Sequence, residues 1–121
     1  MDIMKLMTKI KSHPRYAEVG MVLYHNGVVR STSRDGRRVT GLRVAVDHNR
    51  LREILDEQKK RPGIVGILVE INEGKDLGVG DDVMLLVVAG DFRENVIAAL
   101  TDTLNAIKST VTRKVEYFQG T

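Results

Sequence analysis

No cysteine and no tryptophan occur among the 121 residues, and proline appears only twice, at Pro14 and Pro62. Without cysteine there is no disulfide, no thiolate nucleophile and no cysteine-based metal site. Aromatic residues make up 4% of the chain, too few to stack exposed nucleic-acid bases. Long apolar runs are missing, and no charged-then-apolar leader opens the chain, so a cytoplasmic protein without a membrane span is expected. His13, His25 and His48 lack metal-ligand spacing, and neither a metal nor a cofactor is expected. Gly78-Val79-Gly80 lies between two predicted strands and opens no helix, so it fails the context of a dinucleotide fingerprint.

Apolar residues at 42% and charged residues at 29% are the balance of a globular chain, and the length suits one domain over 1–121. The net charge of +3 is local. "RSTSRDGRRVTGLR", residues 30–43, sets Arg30, Arg34, Arg37, Arg38 and Arg43 against Asp35 alone. It therefore carries +4, and the remainder sums to −1. A short basic stretch fits a site for a discrete anion better than a nucleic-acid coat, which needs a longer stripe.

Apolar spacing predicts a helix over 1–12, stopped by Pro14, and then a strand over 19–24. Asn26-Gly27 marks either a tight turn or a bulge within a longer strand. Strands over 28–33 and 38–46 are joined through Asp35-Gly36, a hairpin signal. Leu42, Val44 and Val46 alternate with Arg43 and Ala45, leaving one face for the core and one for charge. Asp47 caps a helix to about Lys60 with Leu51, Ile54 and Leu55 inward, and Pro62-Gly63 ends it. Strands over 64–71 and 83–89 flank a glycine-rich connection, 74–82. Asp91 with Glu94 has capping-box spacing, opening a helix whose core face is Ile97, Leu100, Leu104, Ile107 and Val111. A strand over 113–118 follows. The order α-β-β-α-β-β-α-β describes an α+β domain with an antiparallel or mixed sheet and helices on one side. Residues 38–118 alone also fit a split βαβ of the ferredoxin-like kind.

Among the charged residues, Arg34, Arg37 and Arg38 at the hairpin tip read as a solvated edge. Arg30 and Arg43 fall within predicted strands, where an arginine is paired or aimed at an anion. Lys108 sits near the C-terminal end of the last helix, a place that favours a cation and also suits a proton-transfer or nucleophilic lysine. Lys114 can lie close to it across the helix–strand turn, and Arg93 lies in the first turn of the same helix.

The run of "GVVR", the hairpin, "GVGDDVMLLVVAGDFR" and "LNAIKSTVTRKVEYF" resembles the MoaE family, the large catalytic subunit of molybdopterin synthase, from about residue 19 to 118. The resemblance implies an α/β hammerhead-type fold and a homodimer, with a small ubiquitin-like sulfur-carrier subunit at each outer end. It implies that the carrier's C-terminal Gly-Gly thiocarboxylate enters a pocket and gives sulfur, in two rounds, to a cyclic pyranopterin monophosphate. Lys108 then falls on the first active-site lysine and Lys114 nearest the second, one residue short in spacing. Arg30 and Arg93 fall on pocket arginines, and Arg43 is a further anion-binding candidate. Phe92 stands where the family has histidine, and His25 where it has an aromatic. These departures leave an alternative, a MoaE-like dimeric binding or scaffold protein impaired in catalysis. A nucleic-acid-binding domain built on the arginine hairpin is the third reading.

Overall fold

A computed structural model describes residues 1–120. Helix α1, Ile3–Lys11, is capped by the Asp2 carboxylate, which accepts from the Met4 amide at 2.9 Å. A 3-10 turn at Tyr16–Glu18 leads into β1, Met21–Val28. Strand β2 is Val39–Val46, and helix α2, His48–Lys59, is capped as expected by Asp47, which accepts from the Arg50 amide. Strands β3 (Ile64–Ile71), β4 (Asp76–Gly78) and β5 (Asp82–Gly90) precede helix α3, Arg93–Thr110, and strand β6, Thr112–Phe118. Among the described residues no helix is long and apolar enough to cross a membrane.

The strands form two antiparallel sheets, in the orders β1-β5-β3 and β4-β2-β6. Central β5 is buried on both faces, which explains its unbroken apolar sequence. Leu86 and Val88 pack with Ile64, Ile67, Val96 and Ala99 beneath α3, and α2 packs beside α3 through Leu55 and Ile54. Leu85, Val87 and Ala89 face the other way, onto Leu6 and Ile10 of α1. The α+β class with antiparallel sheets is as expected. The two long helices share one face, and short α1 covers part of the other. In the second sheet Leu42, Val44 and Leu77 close a smaller core with Val29.

Four details depart from the sequence expectations. Residues 28–33 form no separate strand. Instead β1 runs through Asn26-Gly27 and shifts register at Gly27/Val28. The chain then leaves the ladder because the Val29 amide donates to Asp81 O and its carbonyl accepts from the Gly80 amide. Second, the connection 74–82 contains β4, built around the single apolar residue Leu77. Third, Asp91 does not form a capping box. The N-cap is Phe92, without a side-chain bond, and the Asp91 carboxylate takes the Phe92 amide and Asn95 Nδ2. Fourth, Ile97 is 48% exposed, because α3 turns Val96, Ala99, Thr103 and Ile107 to the sheet. Val96 and Ala99 of that face pack on Leu86 and Val88 of β5.

Candidate functional site

Between the two sheets opens a cavity of about 390 Å³. Leu42 and Val44 of β2 and Ile71, Val83 and Met84 from the first sheet give it an apolar lining. His25, Gly27 and Val28 contribute the bulged end of β1, and Thr112 and Lys114 the start of β6. Lys108 comes from the last turn of α3, and Arg34 from the hairpin between β1 and β2. An apolar recess with a few convergent polar groups is the ordinary form of a small-molecule or peptide-tail site.

The last turn of α3 is anchored on both sides of Lys108. Ile107 is fully buried and Val111 is 3% exposed. The Val111 amide donates to Ile107 O, and Val111 O accepts from the Asp47 amide at the start of α2. Lys108, one residue beyond Ile107 and so about 100° round the helix, is directed out of the core toward the cavity. Its ammonium stands at the negative end of the helix dipole and makes no ion pair among the described residues. Lys114 is paired in register with Val44, so it shares that residue's inward face, and its Nζ lies 4.0 Å from Glu116 Oε1.

His25 is the electrostatic counterpart. Its Nε2 is buried without a hydrogen-bond partner. Burial, and then the positive charge of Lys108, hold its pKa below the ordinary imidazole value. Protonating it would place a second cation beside Lys108 with one N–H unsatisfied, so the neutral form is favoured.

The three remaining predicted anion-binding arginines do not line this cavity. Arg30 lies just beyond β1, not within a strand, and its Nε donates to Thr32 O at 2.7 Å. Arg43 does lie in β2 but on the face opposite Leu42 and Val44. There its Nη2 donates to Gly74 O at 2.7 Å and its Nη1 lies 3.4 Å from Asp76 Oδ1. Arg93 begins α3 and pairs with Glu94 at 3.2 Å, with its side chain 79% exposed. It precedes Lys108 by 15 residues, roughly 22 Å along the helix at 1.5 Å per residue. One copy of the chain cannot bring both to one ligand atom.

A family model, "MoaE protein", matches residues 1–110. The chain belongs to the MoaE family. Membership carries the large-subunit assignment within molybdopterin synthase and, in general terms, a transferase acting in sulfur transfer for molybdenum-cofactor biosynthesis. Solved structures share the MoaE hammerhead fold. Molybdopterin synthase from Staphylococcus aureus is 23% identical, covering 86% of this chain and 78% of that one, with a TM-score of 0.72. A complex of subunits 1 and 2 of molybdopterin-converting factor from Helicobacter pylori is 17% identical over 100% and 82%, with a TM-score of 0.74. Molybdopterin cofactor biosynthesis protein E from Burkholderia multivorans is 20% identical over 99% and 87%, with a TM-score of 0.75. A search of curated proteins gives no match.

The MoaE match includes Lys108 and ends before Lys114, whose place at the cavity is seen only in the fold. Two polar cavity residues, Arg34 and His25, are not among the site residues the sequence singles out. Arg34 looks like a solvent-facing tip residue, because nothing local shows that the hairpin folds over the crevice. His25 was legible in part, since it shares the face of Leu23 in β1, and Leu23 packs on the core beneath α3.

Proposed function

We propose that this MoaE-family chain is the catalytic large subunit that moves sulfur from a carrier protein's C-terminal thiocarboxylate to a cyclic pyranopterin monophosphate, in the cytoplasm. The observation carrying this reading is the convergence of Lys108 and Lys114, from α3 and β6, on one recess with an apolar lining. Both reactants are anions, so cations at the recess draw and orient them. When the thiocarboxylate sulfur bonds to a pterin carbon, an oxygen leaves that carbon with its electron pair. Water then cleaves the acyl–sulfur bond, leaving sulfur on the pterin and a carboxylate on the carrier. Negative charge gathers first on the departing oxygen and then on the acyl oxygen. The ammonium groups of Lys108 and Lys114 stabilise that charge, and Lys108 supplies a proton to it. The apolar walls strengthen these interactions by excluding water. His25, held neutral, keeps an uncharged hydrogen-bonding group within this cationic set.

The small carrier, the homodimer and the roles of Arg30 and Arg93 rest on the family resemblance, whereas Arg43 is a candidate only from its place within a strand. Arg93, with its side chain 79% exposed and paired only to its neighbour Glu94, is suited to reach the cavity of a second copy. The scaffold alternative draws on Phe92, 68% exposed where the family has histidine. Thiocarboxylated carrier and pyranopterin substrate, mixed with the purified chain, separate the two. Catalysis yields the dithiolene product, and Lys108→Ala lowers kcat by about 100-fold or more while still binding carrier. Carrier binding without product supports the scaffold, and undiminished turnover in Lys108→Ala refutes the lysine's role.

A further inference from the structure

Of the five arginines between residues 30 and 43, one lines the cavity, and it is not the one in "GVVR". Arg30, Arg37 and Arg43 are each engaged elsewhere: Arg30 on Thr32 O, Arg43 on Gly74 O and Asp76, and Arg37 over the Phe118 ring at 3.6 Å. Arg34 lines the recess with Lys108 and Lys114 and makes no hydrogen bond or ion pair among the described residues. Among the described residues no carboxylate lines the recess, and Glu116 beside it lies 4.0 Å from Lys114 and makes no ion pair with Arg34. The nearest hairpin acid, Asp35, is taken by the Ser33 hydroxyl.

The hairpin carrying Arg34 is held in place. Ser33, 8% exposed, donates its amide to Arg37 O at 2.9 Å and accepts the Arg37 amide on Oγ at 3.1 Å. Gly36, at φ +85°, makes the reversal that closes this turn. Two contacts then fasten the hairpin to the end of β6, the strand that bears Lys114. These are Gln119 N to Arg38 O at 3.0 Å and the Arg37 guanidinium on Phe118.

We propose that Arg34 is the oxyanion clamp of the cavity, and that Arg37, stacked on Phe118, is the positioning residue that holds the clamp over Lys108 and Lys114. The identity of the ligand rests on the proposed function; the clamp itself rests on the placement of Arg34. A guanidinium fork grips two oxygens of either a phosphate or a carboxylate, so the pterin phosphate and the carrier's terminal carboxylate are the two sources.

Calorimetric titration with inorganic phosphate, and with a Gly-Gly-ending peptide as free acid and as C-terminal amide, distinguishes them. Arg34→Ala should weaken phosphate, or free-acid peptide, by about 10- to 100-fold. The arm that weakens names the source. Arg34→Lys restores only part, because a point charge replaces a fork. Arg37→Ala should weaken the same ligand by a smaller factor and raise KM with kcat unchanged, and Arg37→Lys, still a cation over Phe118, should recover it. Arg38→Ala removes an equal charge from the same hairpin and should change affinity less than twofold. Equal weakening by Arg34→Ala and Arg38→Ala overturns the clamp in favour of a diffuse field. No effect of Arg34→Ala, or no binding of either probe by the unmodified chain, overturns it outright. Arg34-dependent binding without sulfur transfer would instead fell only the proposed function, and transfer with an unchanged KM in Arg34→Ala would fell only the clamp.

Discussion

Gly41→Ala is expected to lift β4 off β2 and loosen the core behind the cavity. Gly41 and Gly78 face each other in the register of these strands, yet their surroundings differ. A Cβ on Gly41 would stand 2.4 Å from Leu77 O and 3.4 Å from Leu77 C, both backbone atoms. Relief requires β4 to move by about 1 Å, since carbon and carbonyl oxygen approach to about 3.3 Å. Strand β4 has three residues in register with β2, and Leu77, 3% exposed, is its one anchor beside Leu42 and Val44. Losing one or two ladder bonds and part of the Leu77 burial costs about 2–4 kcal/mol. For a chain of this length that lowers Tm by about 8–16 °C. A Cβ on Gly78 meets only Asp81 Oδ2, at 3.7 Å, so Gly78→Ala should stay within about 0.5 kcal/mol of the parent. Urea and thermal unfolding of both variants test this. A harmless Gly41→Ala, or a Gly78→Ala equally severe, would show that close approach of the strands is not what glycine provides here.

Ile107→Ala removes a fully buried side chain from the cluster it shares with Ile54, Met84 and Val111, and should cost about 2–5 kcal/mol by urea unfolding. A loss below about 1 kcal/mol would mean the last turn of α3 is not held by this contact. Because the folded-state pKa of His25 lies below its ordinary 6.5, the unfolded chain takes up that proton first as pH falls. This group's contribution should therefore fall with pH below about 6.5, and stop falling once pH passes the lower folded value. Urea midpoints of the parent and His25→Phe from pH 7.5 to 5 should diverge in that window. Parallel curves would mean His25 is not held neutral. The depressed carboxylates Glu18, Asp35 and Asp91 act in the same direction but only below about 4.5.

Local signals were legible where the decisive contacts are local. The Asp47 cap, the Pro62-Gly63 stop and the alternation of Leu42, Val44 and Val46 each depend on neighbours a few residues away, and each appears in the fold. Arg30 was misplaced because the pattern of 28–33 is strand-like, whereas a bond from Val29 to Asp81, far along the chain, draws it off the ladder. The same distance hid Arg34, whose position depends on Phe118 and Gln119. Helical spacing puts Ile97 in the core, but the face of α3 that packs on Leu86 and Val88 is the one bearing Val96 and Ala99, which leaves Ile97 outside. The family resemblance succeeded on order and spacing, and Lys108 and Lys114 do meet at one recess. The sequence places Arg93 in the first turn of α3 and Lys108 near its end, and the fold keeps them there, so within one copy Arg93 does not join the recess.

The most direct test is a titration of the labelled protein, by NMR at the side chains of Lys108, Lys114, His25 and Arg34, with the thiocarboxylated carrier and then the phosphorylated pterin. All four sets of signals should move together and saturate, while those of Arg43 on the opposite face of β2 stay still. Saturable binding that leaves the Lys108 and His25 signals unmoved would contradict the claim that sulfur changes hands in the crevice between the sheets.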